Sequence, residues 1–431
     1  MELPAAICAI SIARVKRLSI ILALAIAVSV CVFLLRRGKG PRASGSLQSS
    51  CYVWQRAWDA GTRAAIADAP GRVAGLAPLC AEVSWNAGGS ASTVWPALDF
   101  AALRATGLPV SAVLRIGPRE PTADVQSAVC GIATVVLARL RAGGIEPVEL
   151  QIDFDCSGRN LDGYRGWLAA LRGCAQPLPV RPTVLPSWLG HREFARLARE
   201  SGGFILQVHA TEKPTIRAAE TALCEASNAR RWVEKAGALG VPFRVALPTY
   251  TYRVAFAPDG ALLGIEAEGE PRMWPQGTVL RAFRPDAAQI AALVQEWMHD
   301  RPACLHGLLW YRLPVASDTM NWRWPTLSAV MQGRAPKHAL RLEQSGAQPA
   351  DIRIINDGEA DEPLPRRILA KCAGGIEASD GIGGYRVESE NSTVVFVRSD
   401  ELQPARLRPG ERHTVGWIRA AGVIELSVAQ P

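Results

Sequence analysis

Between Cys51 and about Pro336, short apolar runs alternate with longer stretches of helical periodicity. Eight of the runs read as strands: Cys51 to Gln55, Leu79 to Trp85, Pro109 to Ile116, Val148 to Asp155, Val180 to Ser187, Phe204 to His209, Val241 to Pro248 and Cys304 to Arg312. The helical pattern is clearest in Thr122 to Ala142, where Val125, Val129, Ile132, Val136 and Leu140 recur three or four apart and Gly143-Gly144 closes the run. Asp286 to His299 repeats it with Ile290, Leu293, Val294 and Trp297, and Leu161, Tyr164, Leu168 and Leu171 do so after the fourth strand. Strands and helices alternating in this way predict an α/β fold, a closed parallel (β/α)8 TIM barrel over residues 51–336, since each parallel crossover needs its own helix. An open doubly wound sheet is the alternative. It would bring a Gly-rich phosphate turn after its first strand, where this chain has Trp54-Gln55-Arg56-Ala57-Trp58.

The link between strands seven and eight is too long for a loop and helix. Tyr252 to Gly264 reads as a hairpin turning at Pro258-Asp259-Gly260, followed by the polar stretch Glu266 to Gly277 around Trp274. Beyond Pro336 the helical pattern ends. Ala339 to Leu342, Asp351 to Asn356, Arg367 to Cys372, Tyr385 to Ser389, Thr393 to Arg398, Glu411 to Ile418 and Val423 to Val428 are β-like runs divided by turn residues, which predicts a C-terminal β-sandwich over 337–431.

At the other end, Leu18 to Leu35 is apolar or small throughout. Roughly 20 such residues cross a bilayer, so 18–35 reads as an N-terminal transmembrane helix at the short end of that range. It follows a basic segment, 1–17, and precedes a Gly- and Ser-rich flexible linker, 36–50. The run ends in Phe33-Leu34-Leu35 and Arg36-Arg37, not in small residues, which favours an uncleaved anchor over a cleaved signal peptide and a secreted product. The expectation is a single-pass membrane protein with its globular part outside the cytoplasm. Charge flanks both ends of the span and leaves orientation open.

The net charge of +8 suggests a nucleic-acid partner until it is located. Arg14, Lys16, Arg17, Arg36, Arg37, Lys39 and Arg42 face one acid, Glu2, within residues 1–42. Setting those seven and one aside from 48 and 40 leaves 41 basic against 39 acidic groups. The globular part therefore offers no basic surface, and no nucleic acid is expected. Of ten cysteines, eight lie beyond the span: Cys51, Cys80, Cys130, Cys156, Cys174, Cys224, Cys304 and Cys372. No C-x-x-C is present, so zinc-ribbon and thioredoxin chemistry are excluded, while an even number fits either disulfides or free thiols.

The chemistry concentrates in V-E-L-Q-I-D-F-D-C, Val148 to Cys156. Leu150, Ile152 and Phe154 alternate with Gln151, Asp153 and Asp155, so both carboxylates point the same way at the strand's C-terminal end, where a barrel has its active mouth. Residues at the other strand ends converge there: Gln55, Glu82, Arg115, Trp188, Gln207, His209, Tyr250, Tyr252, Trp310, Arg312, and Asp318 in the loop beyond. Carboxylates among aromatics and amides suit a carbohydrate, whose ring faces stack on Trp and Tyr. Two Asp on one strand repel, raising the proton affinity of one. Asp155, nearer the mouth, is expected to be the acid, and Asp153 its helper. Each residue has an ordinary structural alternative: Trp310 as core, His209 as a satisfied strand-end histidine, Arg312 as an ion-pair partner. No cofactor is called for. G-x-S-x-G and H-E-x-x-H are absent, although Asp153, Asp155 and His209 offer ligands for one metal ion.

Y-V-W-Q at Tyr52, I-D-F-D-C at Ile152, P-S-W at Pro186, L-Q-V-H at Leu206, L-P-T-Y at Leu247 and W-Y-R-L-P at Trp310 resemble a bacterial family of extracytoplasmic proteins whose domain carries no assigned function. The resemblance covers Cys51 to the C-terminus and implies an envelope protein with a glycosidase-like barrel. A more distant similarity is to the chitinase-type glycoside hydrolases, whose fourth strand carries D-x-x-D-x-D-x-E. Asp153 and Asp155 match the second and third acids, while Leu150 and Ser157 stand at the first and last. That similarity implies either that Asp155 replaces the missing Glu or that the barrel binds glycans without cleaving them.

Overall fold

The computed structural model describes residues 40–86, 89–210, 214–216, 223–267, 272–346, 348–390, 393–399 and 406–429. The expected anchor at 18–35 lies outside them. Eight parallel strands close on themselves: β1 (Gln48–Val53), β2 (Leu76–Trp85), β3 (Ser111–Ile116), β4 (Glu149–Phe154), β5 (Val180–Val184), β6 (Phe204–Gln207), β7 (Phe243–Pro248) and β8 (Leu305–Tyr311). Each pairs with its sequence neighbour, and β8 pairs with β1 through Leu308↔Ser49 and Trp310↔Cys51. The closed barrel is thus formed, and the open sheet is ruled out.

Helices α1 (Ala60–Ala67), α2 (Phe100–Ala105), α3 (Ala123–Ala142), α4 (Leu161–Ala175), α5 (Arg192–Ser201), α6 (Ala226–Gly237) and α7 (Ala287–His299) fill the crossovers, and α8 (Trp324–Met331) follows β8. Asp59, Asp99 and Asp286 cap α1, α2 and α7 by accepting from the backbone N–H three residues on, which satisfies donors the helix leaves free. Among the described residues α3 alone is long and apolar enough to cross a membrane. Here it is a barrel helix, with Val125, Val129, Val136 and Leu140 buried against the strands.

Two apolar compartments follow from strand alternation. Outward residues such as Leu114, Ile116, Leu150, Ile152 and Phe154 pack on the helices. Inward residues Tyr52, Ala77, Leu79, Val113, Ile205, Ala246 and Leu309 fill the barrel. At the β8–β1 closure there is little room. A side chain on Gly307 would bring its Cβ to 2.8 Å from the Gln48 carbonyl oxygen. Gly307→Ala should lower stability by about 1–3 kcal/mol, as overpacking does, measured by urea unfolding; an unchanged midpoint would mean that the seam yields.

The stretch expected to be a flexible linker is docked from Pro41 onward, because its polar groups find partners on the barrel floor. Arg42 and Ala43 pair antiparallel with Pro302 and Arg301. The Arg42 guanidinium bonds Glu234 at 2.8 Å and Asp300 at 2.7 Å.

Two insertions rise from the mouth. Ala91–Val94 folds back on the end of β2. After β7 the hairpin Tyr252–Phe256 with Leu262–Glu266 turns as the sequence predicts, and Val279–Phe283 adds a third strand. The C-terminal part holds two antiparallel four-stranded sheets and a two-stranded ribbon, Glu362–Pro363 with Arg406–Leu407. Ile352, Ile354, Val415 and Ile418 of one face Ile368, Ala370, Val394 and Phe396 of the other over a shared core, the arrangement of a sandwich. All seven predicted runs are strands. The eighth strand of the two four-stranded sheets, Ile376–Gly381, lacks their apolar alternation.

Candidate active site

On β4 the side chains facing into the barrel are Glu149, Gln151 and Asp153, with Asp155 next beyond the strand end, so a polar column climbs through an apolar cylinder. Each level is satisfied differently. At the floor Glu149 bonds Arg244 at 2.6 Å and the Ser111 hydroxyl at 2.9 Å. One level up, the fully buried Gln151 donates to Glu149 and accepts from the Tyr52 hydroxyl at 2.9 Å. At the top, strand register sets an acid, a base and an acid side by side: Glu82 is level with Arg115, and Arg115 with Asp153. Arg115 Nη1 donates to Asp153 Oδ2 at 3.0 Å and its Nε lies 3.5 Å from Glu82, which Arg56 grips at 2.7 Å from the far side.

Above this level opens a cavity of about 270 Å³ lined by Trp54, Arg115, Asp153, Asp155, His209 and Tyr311, with Tyr52, Thr183, Gln207 and Tyr250 completing the wall. The Asp153 side chain is 12% exposed, and Asp155 is open to solvent. Burial pushes the Asp153 carboxyl up to about 6, outweighing the opposing pull of Arg115; the neighbouring charges of Asp155 and Glu82 add to the rise. The expectation gave raised proton affinity to Asp155, through repulsion. The carboxyl held near neutrality is Asp153, and desolvation is the larger cause.

The aromatic wall is continuous. Trp54 and Tyr311 lie 4.9 Å apart between centroids, Tyr311 and Tyr250 5.1 Å, and His209 stacks on Tyr311 at 5.8 Å. Arg115 lies over Trp54 at 5.8 Å. Burial pushes the His209 imidazole down to about 3, so it is neutral at ordinary pH. Its buried Nδ1 has no hydrogen-bond partner among the described residues, so it is not the satisfied strand-end histidine of the alternative reading. The next residue, Ala210, also lines the cavity, in a left-handed conformation with φ 51° that a residue with a side chain seldom adopts.

Of the residues predicted for the site, Arg115, Asp153, Asp155, Gln207, His209 and Tyr250 meet in this cavity. Gln55, Arg312 and Asp318 line a neighbouring groove of about 700 Å³ across the β8–β1 junction. There Arg312 is held by Asp318 at 2.9 Å and donates to the Ala267 carbonyl, so it is a strut between loops and does not face the cavity. Glu82 flanks the cavity within its ion pairs, and Gln151 lies beneath its floor. Three predictions are corrected. Trp188 is buried beside Tyr164 and Phe194 with its Nε1 on the Cys156 carbonyl. Trp310 points outward into the helix-facing core. Tyr252 stacks on Phe283 at 5.3 Å inside the insertion. Tyr52 and Trp54 were missed as site residues, and Tyr311, which the sequence puts at the mouth end of the eighth strand, was passed over for Trp310, although strand parity held the signal: with Leu309 inward, Tyr311 is inward and Trp310 is not. Among the described residues no group of His, Cys, Asp and Glu converges to hold a metal ion, so Asp153, Asp155 and His209 do not assemble the metal alternative.

Residues 106–316 match the model of a domain of unknown function, DUF3142, and residues 339–421 match a second such model, DUF8456. The resemblance to a bacterial family without assigned function, expected from Cys51 to the C-terminus, is met by a match over 106–316, and the C-terminal sheets match a separate model of the same kind. No curated protein sequence matches the chain. Among solved structures, the spore cortex-lytic enzyme SleL of Bacillus megaterium QM B1551 is 13% identical, with 68% of this chain and 75% of that one covered and a TM-score of 0.47. SleL of Bacillus cereus gives 11%, 68%, 75% and 0.47. Chitinase ChiA74 from Bacillus thuringiensis gives 10%, 89%, 100% and 0.44.

Proposed function

We propose that this chain is a glycoside hydrolase of the cell envelope, held at the membrane by its apolar segment 18–35 and acting on carbohydrate at the barrel mouth. One observation carries the reading: a single cavity brings together a carboxyl held near neutrality, a second carboxylate on the same face of the strand, and a wall of packed aromatics. Asp153, protonated in a fraction of molecules near pH 6, donates to the leaving glycosidic oxygen as the C–O bond breaks. A water activated by Asp155 adds to the anomeric carbon. Tyr311 and Trp54 receive a sugar ring face, and Gln207, Tyr250 and the neutral His209 take its hydroxyls. The first described residues dock beside Arg301 and Pro302, at the barrel end opposite the mouth. An anchor preceding them turns the mouth away from the bilayer, toward wall or external polymer.

A catalytically silent glycan binder is the second reading. It is favoured by the 3.0 Å ion pair that occupies one Asp153 oxygen and by Ser157 standing where chitinase-type hydrolases carry their acid Glu. Release of reducing ends from a polysaccharide panel and of chromophore from aryl glycosides, measured alongside glycan-array binding, separates the two. Turnover that Asp155→Asn abolishes while binding persists supports the hydrolase. Binding without turnover in the wild type makes the protein a binder, and the absence of both sinks the two readings together.

A further inference from the structure

α3 and α4 run side by side in the same direction, one before and one after β4. Their level is fixed near their N-termini: Trp167 Nε1 donates to the Thr122 carbonyl at 3.2 Å, and a Cβ on Gly163 would press on the ring of Pro121 at 2.6 Å. Gly163, Trp167, Ala170 and Cys174 follow one another at steps of four, three and four, which makes them one stripe of α4, the stripe that faces α3. On α3 and its cap, Thr122, Gln126 and Cys130 follow at steps of four. At about 1.5 Å per residue, Cys174 lies roughly 10 Å beyond Trp167 and Cys130 roughly 12 Å beyond Thr122. The two thiols therefore stand level on facing stripes.

Neither is core. Cys174 is exposed and Cys130 half-buried, whereas Cys51, Cys80, Cys156, Cys224 and Cys372 are buried. Burial pushes the Cys130 thiol up to about 12, and its hydrogen bond with the Cys174 thiol acts in the same direction, as two adjoining sulfurs require.

We propose that Cys130 and Cys174 are a redox-modifiable pair that closes to an intramolecular disulfide joining α3 to α4. The exposed Cys174, as thiolate, attacks a small disulfide donor and expels one thiol. Cys130, losing its proton, attacks the Cys174 sulfur of the mixed disulfide and expels the second. The pair gives up two electrons and two protons, and the donor becomes two thiols. The closed loop contains all of β4, so the bridge ties together the two helices that flank the strand bearing Asp153 and Asp155. In an oxidising envelope this is the expected resting form. The proposal is independent of the chemistry assigned to the cavity.

The test takes the full chain in detergent, equilibrates it with reduced or oxidised glutathione, alkylates the remaining thiols and maps peptides by mass. Oxidised wild type should yield the Cys130 and Cys174 peptides joined, two mass units below their sum, and reduced wild type both of them alkylated. Cys174→Ser should leave Cys130 alkylatable under oxidation. Moving the thiol about 100° round α4, with Gly173→Cys and Cys174→Ser combined, should abolish the link. Equal alkylation of both thiols before and after oxidation, a persistent glutathione adduct on Cys174, or undiminished linkage in the displaced variant would each overturn the proposal.

Discussion

Asp153→Asn is expected to lower turnover of a cleaved glycoside by about 10³-fold, within the range for a lost general acid, while the wild type loses rate about tenfold per pH unit above pH 6. The limb follows from the protonated fraction of a carboxyl held at about 6. The same residue carries a stability signature of opposite sign. Its folded pKa lies above the ordinary 3.8, so its contribution to stability is intact below about pH 4 and is lost as pH rises through about 6. From 3.8 to about 6 corresponds to about 3 kcal/mol of ionisation penalty, for a side chain with little solvent to screen it. Losing one partner of Arg115 offsets part of the gain. Asp153→Asn should therefore be about 2 kcal/mol more stable than wild type at pH 8 and no different near pH 4, by urea unfolding at the two pH values. A variant less stable than wild type at pH 8 would make Asp153 a structural ion-pair residue and remove the acid from the mechanism.

That pairing of lost activity with gained stability could not be read from the sequence, and the reason is specific. The alternation of Val148 to Cys156 shows that Asp153 and Asp155 share a face, and the structure has them so. Which of the two is desolvated depends on where β4 ends relative to its neighbours, and register places Asp153 level with Arg115 while Asp155 clears the rim. Repulsion between two acids is visible in one dimension; the walls around them are not.

The aromatic residues divided on similar grounds. In a barrel both strand faces are buried, one against helices and one against the interior, so an apolar or aromatic residue carries no mark of its side. Trp188 and Trp310 looked like site residues because they stand at strand ends, yet they serve the outer core. The polar column of β4 could have supplied the missing parity, since a strand-end aromatic belongs to the cavity only when it shares the inward phase, as Trp54 and Tyr311 do. Long-period signals were the most legible: the eight strands, the insertion after β7 and seven strands of the sandwich. The docking of residues 41–45 was not, because a Gly- and Ser-rich stretch reads as a tether unless its one useful side chain, Arg42, is known to meet Glu234 and Asp300.

Asp318→Ala is expected to cost about 3–4 kcal/mol and to weaken glycan binding, although Asp318 lies outside the cavity. Arg312 is 3% exposed, and Asp318 is the carboxylate that offsets its buried charge. Around the pair, Thr249 Oγ1 accepts from the Arg312 N–H at 2.6 Å, and Asn321 Nδ2 donates to the Arg312 and Leu313 carbonyls, so the end of β8 is set in a closed polar network. The Arg312 guanidinium reaches the carbonyl of Ala267, a cavity-lining residue where the insertion leaves its second strand. Asp318 accepts through its own carbonyl from Arg408 of the sandwich at 2.8 Å. One ion pair thus ties the end of β8 to a cavity wall and to the second domain. Removing the carboxylate leaves the guanidinium in a dry setting with its charge uncompensated, and the Ala267 wall loosens as Arg312 seeks water. Removing both charges avoids that penalty. Arg312→Met with Asp318→Leu should lose less stability than Asp318→Ala alone, while glycan binding stays weakened because the tether to Ala267 is gone. Urea midpoints and array binding of the wild type, Arg312→Met, Asp318→Leu and the double variant test this, and additive stability losses across that cycle would show that the two residues do not act as a pair.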